Sequence, residues 1–169
     1  MYGTNVLEYI GSGMKQNHKK FLNHLDNSTE AVFIAALYLH KLGLDVRINA
    51  MQKAESHKEW KDFKDDGDMY MYKNNKNYRI EVKGLSCDFT NCSDWKFRDF
   101  IVCAKHSYDN ATPKPYAYMI LNKNKTHIAI VNTATYLDWS VVSRKDSRYE
   151  NVTQQFYTCP LNKIQWRTL

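Results

Sequence analysis

This chain of 169 residues lacks the run of roughly 20 apolar residues that a membrane-spanning helix requires, and no secretory-signal pattern opens it. The expectation is a soluble, cytoplasmic protein with no membrane partner. Its four cysteines, Cys87, Cys92, Cys103 and Cys159, lack the close paired spacing of a zinc centre. Cys87 and Cys92 are near enough in sequence for a disulfide, although reduced thiols suit an intracellular chain better. The six histidines, at 18, 24, 40, 57, 106 and 127, show no ligand spacing, and no serine or cysteine has the surroundings of a nucleophile elbow. Zinc chemistry and acyl transfer therefore have no support in the pattern. Acidic residues are also outnumbered: Lys and Arg total 24 against 18 Asp and Glu, a net charge of +6 that favours an anionic partner.

Against those absences stands one dense segment. Residues 69–72 (Met-Tyr-Met-Tyr) and 78–83 (Tyr-Arg-Ile-Glu-Val-Lys) both alternate with period two, and the polar stretch 73–77 between them forms turns readily. A two-residue turn at Asn74-Asn75 suits asparagine, which tolerates positive φ. That turn sets Met69 opposite Ile80 and Asp68 opposite Glu81. One face then carries Met69, Met71, Tyr78, Ile80 and Val82 into a core, and the other carries Asp68, Arg79, Glu81 and Lys83. Carboxylates placed opposite one another repel, so a cation is expected between them. A hard divalent ion taking oxygen ligands, Mg²⁺ or Mn²⁺, fits these donors. Asp65 and Asp66 remain alternative ligands if the strand begins earlier.

Gly67-Asp68, twelve intervening residues, then Glu81-Val82-Lys83 resembles the PD-(D/E)XK, or restriction-endonuclease-like, nuclease superfamily. Gly67 stands where that family usually has proline. The resemblance implies an α/β fold, a central mixed β-sheet flanked by helices. It also implies metal binding by Asp68, Glu81 and the Val82 backbone carbonyl, with Lys83 orienting the attacking water. The implied reaction is Mg²⁺-dependent hydrolysis of DNA phosphodiesters leaving 5′-phosphate ends, with a homodimer where both strands of a duplex are cut. The order of elements agrees with it. Residues 28–42 are strong helix formers ended by Gly43, and residues 44–48 read as a strand. Glu30 matches the glutamate that this family carries on its first helix, yet Asn27-Ser28-Thr29-Glu30 is equally a capping box.

The remaining chain extends the same reading. Residues 1–26 form an arm, in which Gly11-Ser12-Gly13-Met14 reads as a linker ahead of a natural start or as native sequence, and residues 27–169 form one nuclease-like domain. Residues 50–66 are charged and read as a surface helix or a loop over the site. Lys96, Arg98 and Lys105 are candidate phosphate contacts, while Trp95, Phe97 and Phe100 read either as core or as base-stacking rings. The apolar run 100–104 is a strand, and 116–121 with 127–131 make a second hairpin. His106 follows the first of these. The aromatic segment 133–169 has enough apolar surface to pack back onto the domain. Two other function classes stay open: a non-catalytic nucleic-acid-binding module of the same fold, and a protein-interaction or inhibitor domain.

Overall fold

The computed structural model describes residues 28–50, 67–146 and 152–169. The expectations for the 1–26 arm, the Asn27 cap, the 50–66 segment and Asp65 and Asp66 lie outside them, apart from Ala50.

Helix α1 (residues 28–41) buries Ala31, Val32, Ala35, Ala36 and Leu39 along one stripe. The spacing is that of a single helix face. It ends as the sequence predicts: Gly43 takes φ +78, its N–H donates to His40 O, and Leu44 N–H reaches back to Leu39 O. That pair of bonds is a Schellman motif, which satisfies carbonyls the helix leaves open.

Six strands make the main sheet, in the order β1 (Asp45–Ile48), β2 (Met69–Lys73), β3 (Lys76–Gly84), β5 (Ala117–Leu121), β6 (His127–Asn132) and β9 (Gln165–Thr168). All neighbours are antiparallel except β3 and β5, so the sheet is mixed. Central β5 is buried at every position, which is why Ala-Tyr-Met-Ile-Leu is a continuous apolar run rather than an alternating one. A second, three-stranded antiparallel sheet orders β4 (Phe100–Ala104), β8 (Thr153–Cys159) and β7 (Ser140–Lys145), with the short α2 (Lys105–Asn110) after β4.

These parts enclose two cores. The first lies between α1 and the main sheet and gathers Met69, Met71, Ile80, Val82, Met119 and Leu121. The second lies on the opposite face and gathers Phe89, Phe100, Val102, Tyr118, Ile120 and Tyr157. Each large side chain so buried contributes roughly 1.5–3 kcal/mol. The expected α/β class and mixed sheet are present. The expected flanking by helices holds on one face with α1; on the other, β4 joins β7 and β8 of the C-terminal segment in a small sheet, and Tyr136, Trp139 and Trp166 pack against that core as their apolar surface requires.

Candidate functional site

The β2–β3 hairpin has the register derived from its sequence: Met69 pairs with Ile80, Tyr70 with Arg79 and Lys73 with Lys76. Asn74 and Asn75 both adopt positive φ, 51 and 58, the requirement of a type I′ turn. Asp68 falls one residue beyond the last ladder pair. Its Oδ2 accepts the Val82 N–H at 2.6 Å, so its carboxylate lies beside Glu81-Val82. Asn49, at the end of β1, holds the approach to this position: its N–H donates to Asp68 O and its Nδ2 to Gly67 O at 3.0 Å.

Arg79 was expected on the charged face with Glu81 and Lys83, with a metal ion as the cation between the carboxylates. The guanidinium already supplies positive charge there. Arg79 is 2% exposed, and its Nε and Nη2 donate to Glu81 Oε1 at 2.7 and 2.6 Å. Gly67 makes room for it. A Cβ on Gly67 would stand 2.7 Å from Arg79 Nε and 3.1 Å from Glu81 Oε1, and φ of +79 favours glycine in any case.

Lys83 lies on the face turned toward the second sheet. The β4–β8 register shifts between Ile101 and Cys103, which makes Val102 the extra residue of a β-bulge. Lys83 Nζ donates to the Val102 carbonyl at 2.7 Å and stands 5.4 Å from the Tyr118 ring centroid. Tyr118 is the cross-strand neighbour of Glu81. Burial pushes its hydroxyl far above the usual tyrosine range, with adjacent Cys103 adding to the shift. Burial also raises the Cys103 thiol, against the lowering influence of Lys83. Both shifts favour the protonated forms of Tyr118 and Cys103 beside Lys83.

Of the other expected residues, Glu30 and Lys105 have partners of their own. Glu30 is 67% exposed at its side chain and pairs with Lys125 at 2.7 Å, in the turn between β5 and β6. Its charge is engaged there rather than with Asp68, Glu81 or Lys83. Lys105 forms an ion pair with Asp109 and stands over the Tyr157 ring, so its charge is already matched. The bond to Asp109 raises the Lys105 pKa. Lys96 and Arg98 are exposed on the 85–99 loop, which Asp94 and Asp99 pin through bonds to Thr90, Asn91 and Arg144. Phe100 is core, Trp95 packs against the same core, and Phe97 stays half exposed. All four cysteines are free thiols, so the Cys87–Cys92 disulfide is absent.

Sequence reasoning missed Asn49 and the Val102 carbonyl; it placed Arg79 on the right face without giving it the Glu81 pairing. Arg79 gave a signal, sharing a strand face with Glu81 two residues away. Asn49 becomes a neighbour of Asp68 only through β1–β2 pairing, and Val102 reaches Lys83 only through a bulge. Among the described residues no three His, Cys, Asp or Glu side chains cluster as a metal centre, and no helix is long and apolar enough to cross a membrane. Comparisons with protein-family models, with curated proteins and with solved structures gave no match.

Proposed function

We propose that this protein is a metal-dependent endonuclease that hydrolyses DNA phosphodiester bonds, with Asp68, Glu81 and Lys83 as its centre. The observation that carries the reading is the Asp68 carboxylate on the Val82 N–H, which places two carboxylates and a lysine at one end of one hairpin. The succession α1, β1, the β2–β3 hairpin and the parallel β5 supports a restriction-endonuclease-like core.

The donors suit Mg²⁺. This ion is commonly held by one or two carboxylates plus waters and substrate phosphate, so two carboxylates and the Val82 carbonyl meet its needs without a third acidic side chain. Bound there, Mg²⁺ or Mn²⁺ supplies Lewis-acid polarisation of the phosphoryl oxygen and lowers the pKa of water. Asp68 and Glu81 contribute oxygen ligands. Lys83 contributes a positioned ammonium with three donors. Val102 O takes one donor and fixes the side chain's direction toward the centre's face of the sheet. A homodimer would supply the two centres needed to cut both strands of a duplex.

The Arg79–Glu81 pair favours a second reading. A guanidinium that neutralises the glutamate lowers the site's demand for a metal, as suits a nucleic-acid-binding module without chemistry. Incubating plasmid, linear duplex, single-stranded and branched DNA with the protein in Mg²⁺, Mn²⁺ or EDTA separates the two. Metal-dependent cutting that leaves 5′-phosphate ends is expected. Binding that EDTA leaves unchanged, with no cutting in either metal, selects the module.

A further inference from the structure

Among the described residues, the main sheet presents an open surface beside the candidate centre, on the face away from α1. Val46 and Ile48 of β1, Met69 and Met71 of β2 and Tyr78 of β3 turn toward the α1 core, so Arg47, Tyr70, Tyr72 and Asn77 turn the other way. The second sheet packs over β5 and β6, and these four residues line an open depression. Tyr70 and Tyr72 are half-buried and lie two residues apart on one strand, about 6.6–6.8 Å along it. The Arg47 guanidinium stands 5.7 Å from the Tyr70 ring centroid.

This surface is continuous with the centre by two routes. Tyr70 is the cross-strand neighbour of Arg79, which holds Glu81. Arg47 Nη2 donates to Asn49 Oδ1 at 3.5 Å, and Asn49 Nδ2 donates to Gly67 O beside Asp68. Anything bound at Tyr70 therefore lies one strand from the carboxylates.

We infer that Tyr70 and Tyr72 form a stacking platform for unpaired bases, so that the substrate carries a single-stranded segment at the cleaved bond. This rests on the nuclease reading for its link to cleavage, although the binding itself does not. Aromatic faces have a use for bases that are not already stacked in a duplex, and they accept any base. Arg47 supplies a phosphate contact at the end nearest the centre, and Asn77 supplies hydrogen bonds to base edges. A duplex-binding surface would instead display several cations toward two backbones. Asp45, the cross-strand neighbour of Tyr72, repels phosphate and marks the far end of the platform.

Fluorescence anisotropy tests this with a fluorescein-labelled oligo(dT), an oligo(U) of the same length and a matched DNA duplex, all in EDTA so that nothing is cut. Tyr70→Ala and Tyr72→Ala are each expected to weaken single-strand binding by about 5- to 100-fold while duplex binding changes less than about twofold. Tyr70→Phe keeps the ring and is expected to stay within about twofold of the unaltered chain. Equal losses on single strand and duplex, no loss in the alanine variants, or no single-strand binding by the unaltered chain would each overturn the platform. Thermal melting of each variant separates lost binding from lost folding. Adding Mg²⁺ afterwards reads the nuclease proposal separately: tyrosine-dependent binding without cutting keeps the platform and removes the chemistry, whereas cutting indifferent to Tyr70 and Tyr72 does the reverse.

Discussion

Removing the Glu81 carboxylate takes from buried Arg79 the counter-charge that holds two of its nitrogens. Breaking a buried pair by deleting one partner typically costs several kcal/mol, because the remaining charge stays desolvated. Glu81→Ala is therefore expected to lose about 3 kcal/mol of stability in urea unfolding. Glu81→Gln keeps a carbonyl oxygen for Arg79 and should lose distinctly less; equal losses would mean that the pair is not what matters. Gly67 and Gly43 offer a matched comparison, since both have φ near +80 but only Gly67 faces Arg79. Gly43→Ala should cost about 1–2 kcal/mol for the left-handed backbone alone. Gly67→Ala should cost more, because the Arg79–Glu81 pair has to shift, and an equal cost would show that Arg79 moves aside freely. Asp68, Glu81 and Lys83 were legible at this scale because period-two alternation and a two-residue turn determine which side chains share a face. The burial of Arg79 was not, since a cation on a strand face ordinarily meets water, and among the described residues it lies against Gly67 and the Pro113 carbonyl, both outside its own strand.

The β2–β3 hairpin is the best-specified element, with turn chemistry and alternation in agreement. It carries one internal conflict, Lys73 directly opposite Lys76. Opposite charges there would attract, so Lys73→Glu is expected to stabilise the protein by roughly 0.2–1 kcal/mol. A lower melting temperature would contradict the pairing. The Thr90–Asp94 turn adds a pH-dependent element. Asp94 accepts the N–H groups of Asn91 and Thr90 and the Thr90 hydroxyl, which depress its pKa to about 2. A depressed carboxylate stabilises the fold above its unfolded value and loses that contribution as pH falls through the folded one. The Thr90 and Asn91 amide resonances should thus hold their folded positions at pH 4 and move only as pH approaches 2. A midpoint near 4 would show the turn open. Helix α1 and the strands of the two hairpins were legible from periodicity and Gly43. Of the second sheet, β4 was legible as the apolar run 100–104, whereas β7 (Ser-Val-Val-Ser-Arg-Lys) was not, because it is mostly exposed and carries no alternation of core and solvent positions.

Across the whole molecule, the main sheet divides an aliphatic core beneath α1 from an aromatic core beneath the second sheet. The candidate centre sits on the second side, where the Val102 bulge of β4 reaches Lys83 and the Gly67 approach reaches Arg79 and Glu81. A hairpin alone would leave these charges in water. The surrounding layers hold them in fixed directions, as the proposed action on a phosphodiester would require. The wide separation in sequence of Asn49, Glu81 and Val102 explains why the motif was visible and its supports were not. The central claim is that Asp68 and Glu81 serve metal-dependent cleavage. Single-turnover cutting of end-labelled branched DNA in Mg²⁺ and Mn²⁺ tests it most directly, comparing the unaltered chain with Asp68→Asn and Glu81→Gln, which preserve the hydrogen-bonding oxygens. Cutting that requires metal and falls at least about 100-fold in both variants, with each still folded by thermal melting, is the predicted result. Absence of cutting by the unaltered chain in either metal, or cutting undiminished in the variants, would contradict it.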